Sequence, residues 1–399
     1  VSTIPRQMLV LTRASLASLP RRTAISLSMV LSVALVVAVL IGFLSMADGL
    51  RQTLGAGGSP DVAIILGGGG TQEVGSSIPP EAARSIQAAG TSGGIASDPA
   101  GRLLLSREIV VPVEATGADG TPRMIALRGM EAAGPALRSS TSMSDGRSFA
   151  PGSRDIVVGV RLARDLGGLA PGQQIRLGPV EWTVAGILSA DGGIAESEIW
   201  ADLDVVRSSF DRLGEIQTLR VRLAGPVGLA ALQAALQSTS TTPLIAVSEA
   251  EFLAGQSART ERLVTLFGWP IALLMAVGAT AGALNTMMSS VSDRSVEIAT
   301  LRVLGFSRLA AFTATFTEAA LLSLAGGVLG AFASWAILDG WQASTLGAND
   351  TQLAFQLSVT PLAMLQAGAL AILIGCVGGA LPAFAATRLP LVSALRGNG

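Results

Sequence analysis

Three stretches of this 399-residue chain hold residue types that can do chemistry. Asp191, Glu196 and Glu198 fall close together, and carboxylates held at unequal pKa values can act as a general acid and base. Nothing in the flanking sequence orients them, so a solvated loop is the simpler reading. Residues 67–70 are all glycine, and a glycine run can cradle phosphates through its backbone N–H groups. A phosphate loop also needs a Lys. The chain has no Lys, no His and no Tyr, and all 27 basic residues are Arg. The glycine run therefore reads as a connector, and any ATPase is expected on another chain. Histidine acid–base chemistry and histidine metal sites are excluded with it. Cys376 is the single cysteine, so no internal disulfide can form. The third stretch, residues 292–302, reads SDRSVEIATLR. Its chemistry is recognition: Asp293, Arg294, Glu297 and Arg302 give it charge, and Val296, Ile298, Leu301 and Leu304 form an apolar set. Gly305 then suits a helix C-cap. Such a helix is a suitable lever for a soluble motor domain; a polar loop with charge pairs at i,i+4 is the plainer alternative.

Half of the residues are apolar, 14% are charged and the mean hydropathy is +0.56, which points to the membrane. Four runs are long and apolar enough to cross a bilayer needing about 20 residues. They are assigned as 23–48, the second half of 248–288, 307–338 and 361–386. Residues 1–22 carry four Arg and no acid, 289–306 carries Arg294 and Arg302 with Arg308 just beyond, and 387–399 carries Arg388 and Arg396. The 339–360 loop has no Arg. The positive-inside rule then places both termini and the 289–306 segment in the cytoplasm, and the 49–247 region and short loop outside. Residues 1–22 have apolar residues at roughly helical spacing, as an amphipathic surface helix would.

Residues 48–258 hold 16 Arg against 22 acids and no spanning run. Short strand-like runs at 62–66, 108–114, 122–130, 155–160 and 182–188 alternate with helical patterns at 80–89, 202–211 and 227–237, which predicts a mixed α+β domain, expected as two subdomains. Ser248 followed by Glu251 is a capping box, so one helix is expected to run from a stalk into the second span, past Trp269-Pro270. The fold class is therefore a membrane protein with four transmembrane helices and a large α+β domain inserted between the first and second.

Asn285, Arg294, Glu297-Ile298, Leu301-Arg302, Leu304-Gly305, Phe316, Glu318, Gly326-Gly327 and Gly330 resemble the FtsX-like permease domain of the MacB/FtsX/LolC/E (and DevC) class of ABC transporters. The tail, from Pro382-Ala383 through Pro390 to Ala394-Leu395-Arg396, is similar to that family's closing motif. The runs at 146–149, 156–159 and 182–187 resemble the MacB-like external domain. The resemblance implies an inner-membrane permease subunit without a catalytic, metal or cofactor site. An ABC ATPase dimer on separate subunits would hold ATP and Mg. The partners implied are a second permease protomer, a periplasmic adaptor and membrane lipids, with no nucleic acid. It makes 289–306 the coupling helix, with Asp293, Arg294, Glu297, Ile298, Leu301, Arg302 and Gly305 engaging the ATPase. It also implies mechanotransmission, the relay of ATP-driven movement to the external domain. The substrate expected is a lipid, lipoprotein, peptide or small molecule. The alternative is an FtsX-like regulator of a periplasmic cell-wall hydrolase. Asn285 and Glu318 are intramembrane polar residues, and Glu318 is expected to bond Asn285 or nearby backbone. Gly326/Gly330 and Gly375/Gly379 are small-xxx-small pairs that permit close helix contact.

Overall fold

The structure, a computed structural model, describes residues 4–18, 23–55, 57–68, 72–138, 140–239, 243–346 and 351–388. It divides into a helical unit (Val1–Asp48, Arg262–Trp341 and Leu357–Gly399) and an α/β unit (Gly49–Glu261 and Gln342–Gln356).

The helical unit is built from α1 (Ile4–Ser18), most of α2 (Thr23–Gly55), the second part of α7 (Glu249–Asp293), α8 (Ser295–Val303), α9 (Arg308–Leu338) and α10 (Pro361–Thr387). Helices α2, α7, α9 and α10 are each long and apolar enough to cross a membrane. At ~1.5 Å per residue α7 extends roughly 67 Å, more than the ~30 Å of a hydrocarbon core. Local signals fix the ends. Ser307 Oγ accepts from Ala310 N–H at the start of α9, and Thr360 Oγ1 accepts from Ala363 N–H at the start of α10, where Pro361 occupies the first turn. Ser248 Oγ accepts from Glu251 N–H at 3.2 Å ahead of α7, the first half of the capping box. Val33, Val37 and Leu40 of α2 pack with Ala272 and Ala276 of α7 and with Ala371 and Ile374 of α10. Large apolar side chains such as Leu35, Leu274 and Leu365 remain exposed on the outer surface, as a lipid-facing helix requires.

The α/β unit is built on one continuous ten-stranded sheet. Its strands are β1 (Val62–Gly67), β2 (Leu105–Thr116), β3 (Pro122–Met130), β4 (Ser142–Gly146), β5 (Asp155–Gly159), β6 (Gln174–Leu177), β7 (Val180–Ser189), β8 (Glu198–Asp202), β9 (Thr218–Arg222) and β10 (Leu244–Ser248). The order is β10-β1-β9-β2-β3-β8-β5-β7-β4, with β6 also on β7. The β3–β8 and β5–β7 pairs are parallel. The helices are α3 (Pro80–Ala89), α4 (Val160–Asp165), α5 (Leu203–Ser209) and α6 (Gly228–Thr239). The two largest apolar clusters on this sheet lie around Ile109, Leu127, Trp182 and Ile199 and around Ile65, Ile86, Leu219 and Leu232. The two largest cores of this region thus share a single sheet.

The 339–360 segment is more than a loop. It forms a hairpin of β11 (Gln342–Leu346) and β12 (Gln352–Gln356) that belongs to the α/β unit. Ala354 N–H donates to Ser197 Oγ at 3.3 Å, and Arg161 donates to Ala354 O at 3.1 Å. Leu353 and Phe355 are buried.

Candidate functional site

In the helical unit, α8 is the short helix that connects α7 to α9. Its start is set by Arg294, whose φ of −101° and ψ of 11° break the helix after Asp293. Its end is a Schellman turn. Gly305 has φ +95°; its N–H donates to Arg302 O at 3.1 Å, and Phe306 N–H donates to Leu301 O at 3.1 Å. Glycine is preferred there because other residues meet a steric penalty at positive φ. Between these stops α8 buries Ala299 and half-buries Ile298 and Leu301. Val296, Val303 and Leu304 stay exposed at 51%, 61% and 72%, beside the exposed Asp293 and Glu297.

A polar node holds α8 to its own chain. Arg294 Nη1 donates to Glu318 Oε2 at 3.1 Å and to Ser15 Oγ at 2.8 Å. The Ser15 hydroxyl donates in turn to Glu318. Three elements, α1, α9 and the α8 start, meet in this way, and Glu318 and Ser15 are both buried. Among the described residues, Glu318 thus bonds Arg294 and Ser15 rather than Asn285 or backbone. Asn285 is exposed on α7, and a guanidinium satisfies a buried carboxylate better than an amide does. Arg302 also turns inward, donating to Thr387 O at the end of α10 at 3.0 Å. Helix α1 packs against α9, and Gln7 accepts from Ser307 N–H at 3.0 Å. Of the tail motif, residues 389–396 lie outside the described residues.

The α/β unit holds a second polar constellation that the sequence did not disclose. Hydrophobic side chains at odd positions of β2 (Ile109, Val111, Val113) face the core, so period-two alternation turns Glu108 to the other face. Arg128, Glu198 and Arg220 occupy the corresponding opposite-face positions of β3, β8 and β9. Arg128 bridges Glu73 (2.8 Å), Glu198 (2.7 Å) and Glu108 (3.1 Å). Arg138 pairs with Glu108 at 2.7 Å, and Arg220 pairs with Glu249. Burial alone would raise the Glu108 carboxyl, but Arg138, Arg220 and Arg128 outweigh it and hold it below the usual range. Glu73 shows the same contest between burial and Arg128, with the same outcome. The stretch around Asp191 is thereby corrected. Glu196 is buried and pairs with Arg161 at 3.0 Å, while Glu198 is buried on Arg128 and on Trp200 Nε1. They are structural ion-pair partners rather than members of a solvated loop.

Residues 26–239 match the MacB-like periplasmic core domain, and residues 270–391 match the FtsX-like permease C-terminal domain. The chain belongs to this MacB/FtsX permease family. Macrolide export ATP-binding/permease protein MacB 1/2 of Paracoccus denitrificans (strain Pd 1222) is 26% identical over 65% of this chain and 40% of its own length. The uncharacterized ABC transporter permease YknZ of Bacillus subtilis (strain 168) is 27% identical over 56% of this chain and 55% of its own. The crystal structure of the periplasmic region of MacB from Actinobacillus actinomycetemcomitans aligns over 49% of this chain and 91% of that one, with a TM-score of 0.38 and 11% identity. The chain thus spans about half or less of the length of these two MacB and YknZ relatives.

The permease packs its glycine pairs within one chain. A Cβ on Gly326 would lie 2.7 Å from Val30 O, and one on Gly330 would lie 2.5 Å from Ala34 O, both on α2. Gly375 and Gly379 meet Ser323 and Ala319 of α9 at 2.6 and 2.5 Å. The obstacle at Gly330 is backbone, which cannot swing aside. Gly330→Leu is expected to push α9 from α2 and destabilise the helical unit by about 1–3 kcal/mol, as overpacking does. Thermal unfolding in detergent checks this, and an unchanged midpoint would show that the helices separate without cost.

Proposed function

We propose that this chain is the permease through which ATP hydrolysis on a separate ABC ATPase subunit, holding ATP and Mg, alters the conformation of the periplasmic-type domain. That change drives export or extraction of a lipid, lipoprotein, peptide or small molecule at the outer face of the inner membrane, with a second permease protomer completing the machine. Both termini and α8 then lie in the cytoplasm, in keeping with their Arg content. The observation that carries this reading is α8 itself. A nine-residue helix, stopped at both ends and tied to α9, presents Val296, Val303 and Leu304 to solvent beside the exposed carboxylates of Asp293 and Glu297, the latter 3.5 Å from Arg294. An exposed apolar patch rimmed by charge marks a docking surface. The match over residues 26–239 favours transport over regulation of a cell-wall hydrolase.

The test is Val303→Asp combined with Leu304→Asp. Both side chains are more than half exposed, so the fold should tolerate the change. Affinity purification of the full chain from native membranes, with mass spectrometry of what accompanies it, should recover an ABC ATPase with the wild type. The variant should recover at least ~10-fold less, the equivalent of about 1.4 kcal/mol. Equal recovery from both, or no ATPase with the wild type, would overturn the assignment. Arg302→Ala is a poorer probe, because that guanidinium is committed to Thr387 O.

A further inference from the structure

We propose that the α/β unit holds a binding site for a small organic cation, a protonated amine that also carries a neutral oxygen, as amino alcohols and amino sugars do. This site requires no ATPase partner. Beside the ion-pair constellation lies a cavity of about 60 Å³, where roughly 10–15 Å³ suffices for one water. Glu73, Glu198, Glu249, Arg128, Arg138 and Arg220 line it, and all are buried. Glu108 lies behind them, wholly buried and bonded to Arg128 and Arg138.

Four carboxylates therefore meet three guanidiniums. Arg remains protonated in proteins, and Glu73 and Glu108 are held in the ionised range by their Arg neighbours. The nearby Arg161 brings no relief, since it is spent on Glu196. One negative charge is left over in a place where unpaired charge is costly. The least compensated carboxylate is Glu249. Among the described residues, one oxygen accepts from Arg220 and the other accepts the Ser59 backbone N–H, at 3.2 Å.

A second observation points to the same cavity. Arg220 Nε is buried with no hydrogen-bond acceptor; Glu108 Oε1 stands off at 3.6 Å. A buried donor left unmade is itself unfavourable. A ligand ammonium at Glu249 balances the charge, and a neutral oxygen at Arg220 Nε satisfies the donor without adding charge. Ile64, Phe252, Leu253 and Leu353 supply apolar wall for the carbon skeleton. Among the described residues no group of three or more His, Cys, Asp or Glu is placed to hold a metal ion, which favours an organic cation over an inorganic one.

Titration of the full chain in detergent with 3-amino-1-propanol, by calorimetry or saturation-transfer NMR, tests the site. Binding should be at least ~10-fold tighter than that of 1,3-propanediol, which lacks the charge. It should be a few-fold tighter than that of propylamine, which lacks the oxygen, and 3-hydroxypropanoate should not bind. Glu249→Gln should weaken the amino alcohol ~10-fold or more. Should that variant fold poorly, Gln256→Trp gives a second test. Gln256 is a half-buried lining residue, and a Trp there should block binding with every charge retained. The proposal is overturned if the diol or the anion binds as well as the amine, if either folded variant keeps full affinity, or if the amine does not bind at millimolar concentration.

Discussion

Arg128→Met will lower the unfolding midpoint of the α/β unit by roughly 10 °C. The guanidinium makes five hydrogen bonds to carboxylates: Nε and Nη2 to Glu198, Nη1 and Nη2 to Glu73, and Nη1 to Glu108. Removing it strands charge that is already out of water, and breaking such a buried pair costs about 3–5 kcal/mol. In a domain of this size each kcal/mol is worth about 2–4 °C. Arg128→Lys should rescue little, because an ammonium cannot reproduce the planar fork that serves three partners. The pH dependence separates this cause from lost packing. Burial pushes the Glu73 and Glu108 carboxyls up, but the neighbouring guanidiniums outweigh it and hold both below the ordinary carboxylate range in the folded state. The stability they contribute is fully present above about pH 4.5 and is lost as pH falls toward their folded values. In Arg128→Met, Glu73 loses the guanidinium that chiefly offsets its burial, so burial should raise its carboxyl and acidification toward pH 4.5 should restore stability instead of removing it. Near-UV circular dichroism melts of the full chain between pH 4 and 8 read both curves. Parallel curves would show that Arg128 acts only as bulk.

This constellation also marks where the sequence stopped being legible. The membrane segments could be read because a 31-residue run such as α9 has no water-soluble alternative. The strands at 62–66 and 122–130 could be read because β-branched and apolar residues recur between turn residues, and the helix at 80–89 because Pro80 opens it. Glu108 and Arg128 lie inside strands whose positions were readable, but alternation alone does not distinguish a solvated face from one covered by other segments. What buries them comes from elsewhere in the chain: Glu73 from the segment after β1, Arg138 from beyond β3, Glu249 from the start of α7 and Thr351 with Leu353 from the distant hairpin. No periodicity reports coverage by remote segments. The 339–360 hairpin was missed for the same reason, since its strands are short and gain stability by docking on Ser197 and Arg161. Over residues 292–305 the sequence disclosed residue types and the Gly305 stop. It did not show that Arg294 and Arg302 point back into their own chain.

Arg294→Met alone will destabilise the helical unit more than Arg294→Met combined with Glu318→Leu. The single change removes the guanidinium 3.1 Å from a carboxylate that is only 4% exposed, leaving Ser15 as its remaining hydrogen-bond donor in the node. An unpaired carboxylate within a membrane bundle is expensive, and losing one partner of a buried pair costs about 3–5 kcal/mol. The double change removes the charge with its partner, and apolar replacement of a whole buried pair is often neutral. Stability should therefore return toward the wild type, a coupling readable by a double-mutant cycle. Coupling to the proposed ATPase should not return with it. The pair fixes where α8 starts relative to α9, and Leu and Met in contact hold no direction comparable to a charge-assisted hydrogen bond. Thermal unfolding in detergent measures the first quantity, and ATPase activity of the reconstituted complex measures the second. Recovery of both would reduce the node to packing. Recovery of stability without activity would identify Arg294 and Glu318 as positioning residues that set the helix whose exposed Val303 and Leu304 meet the partner.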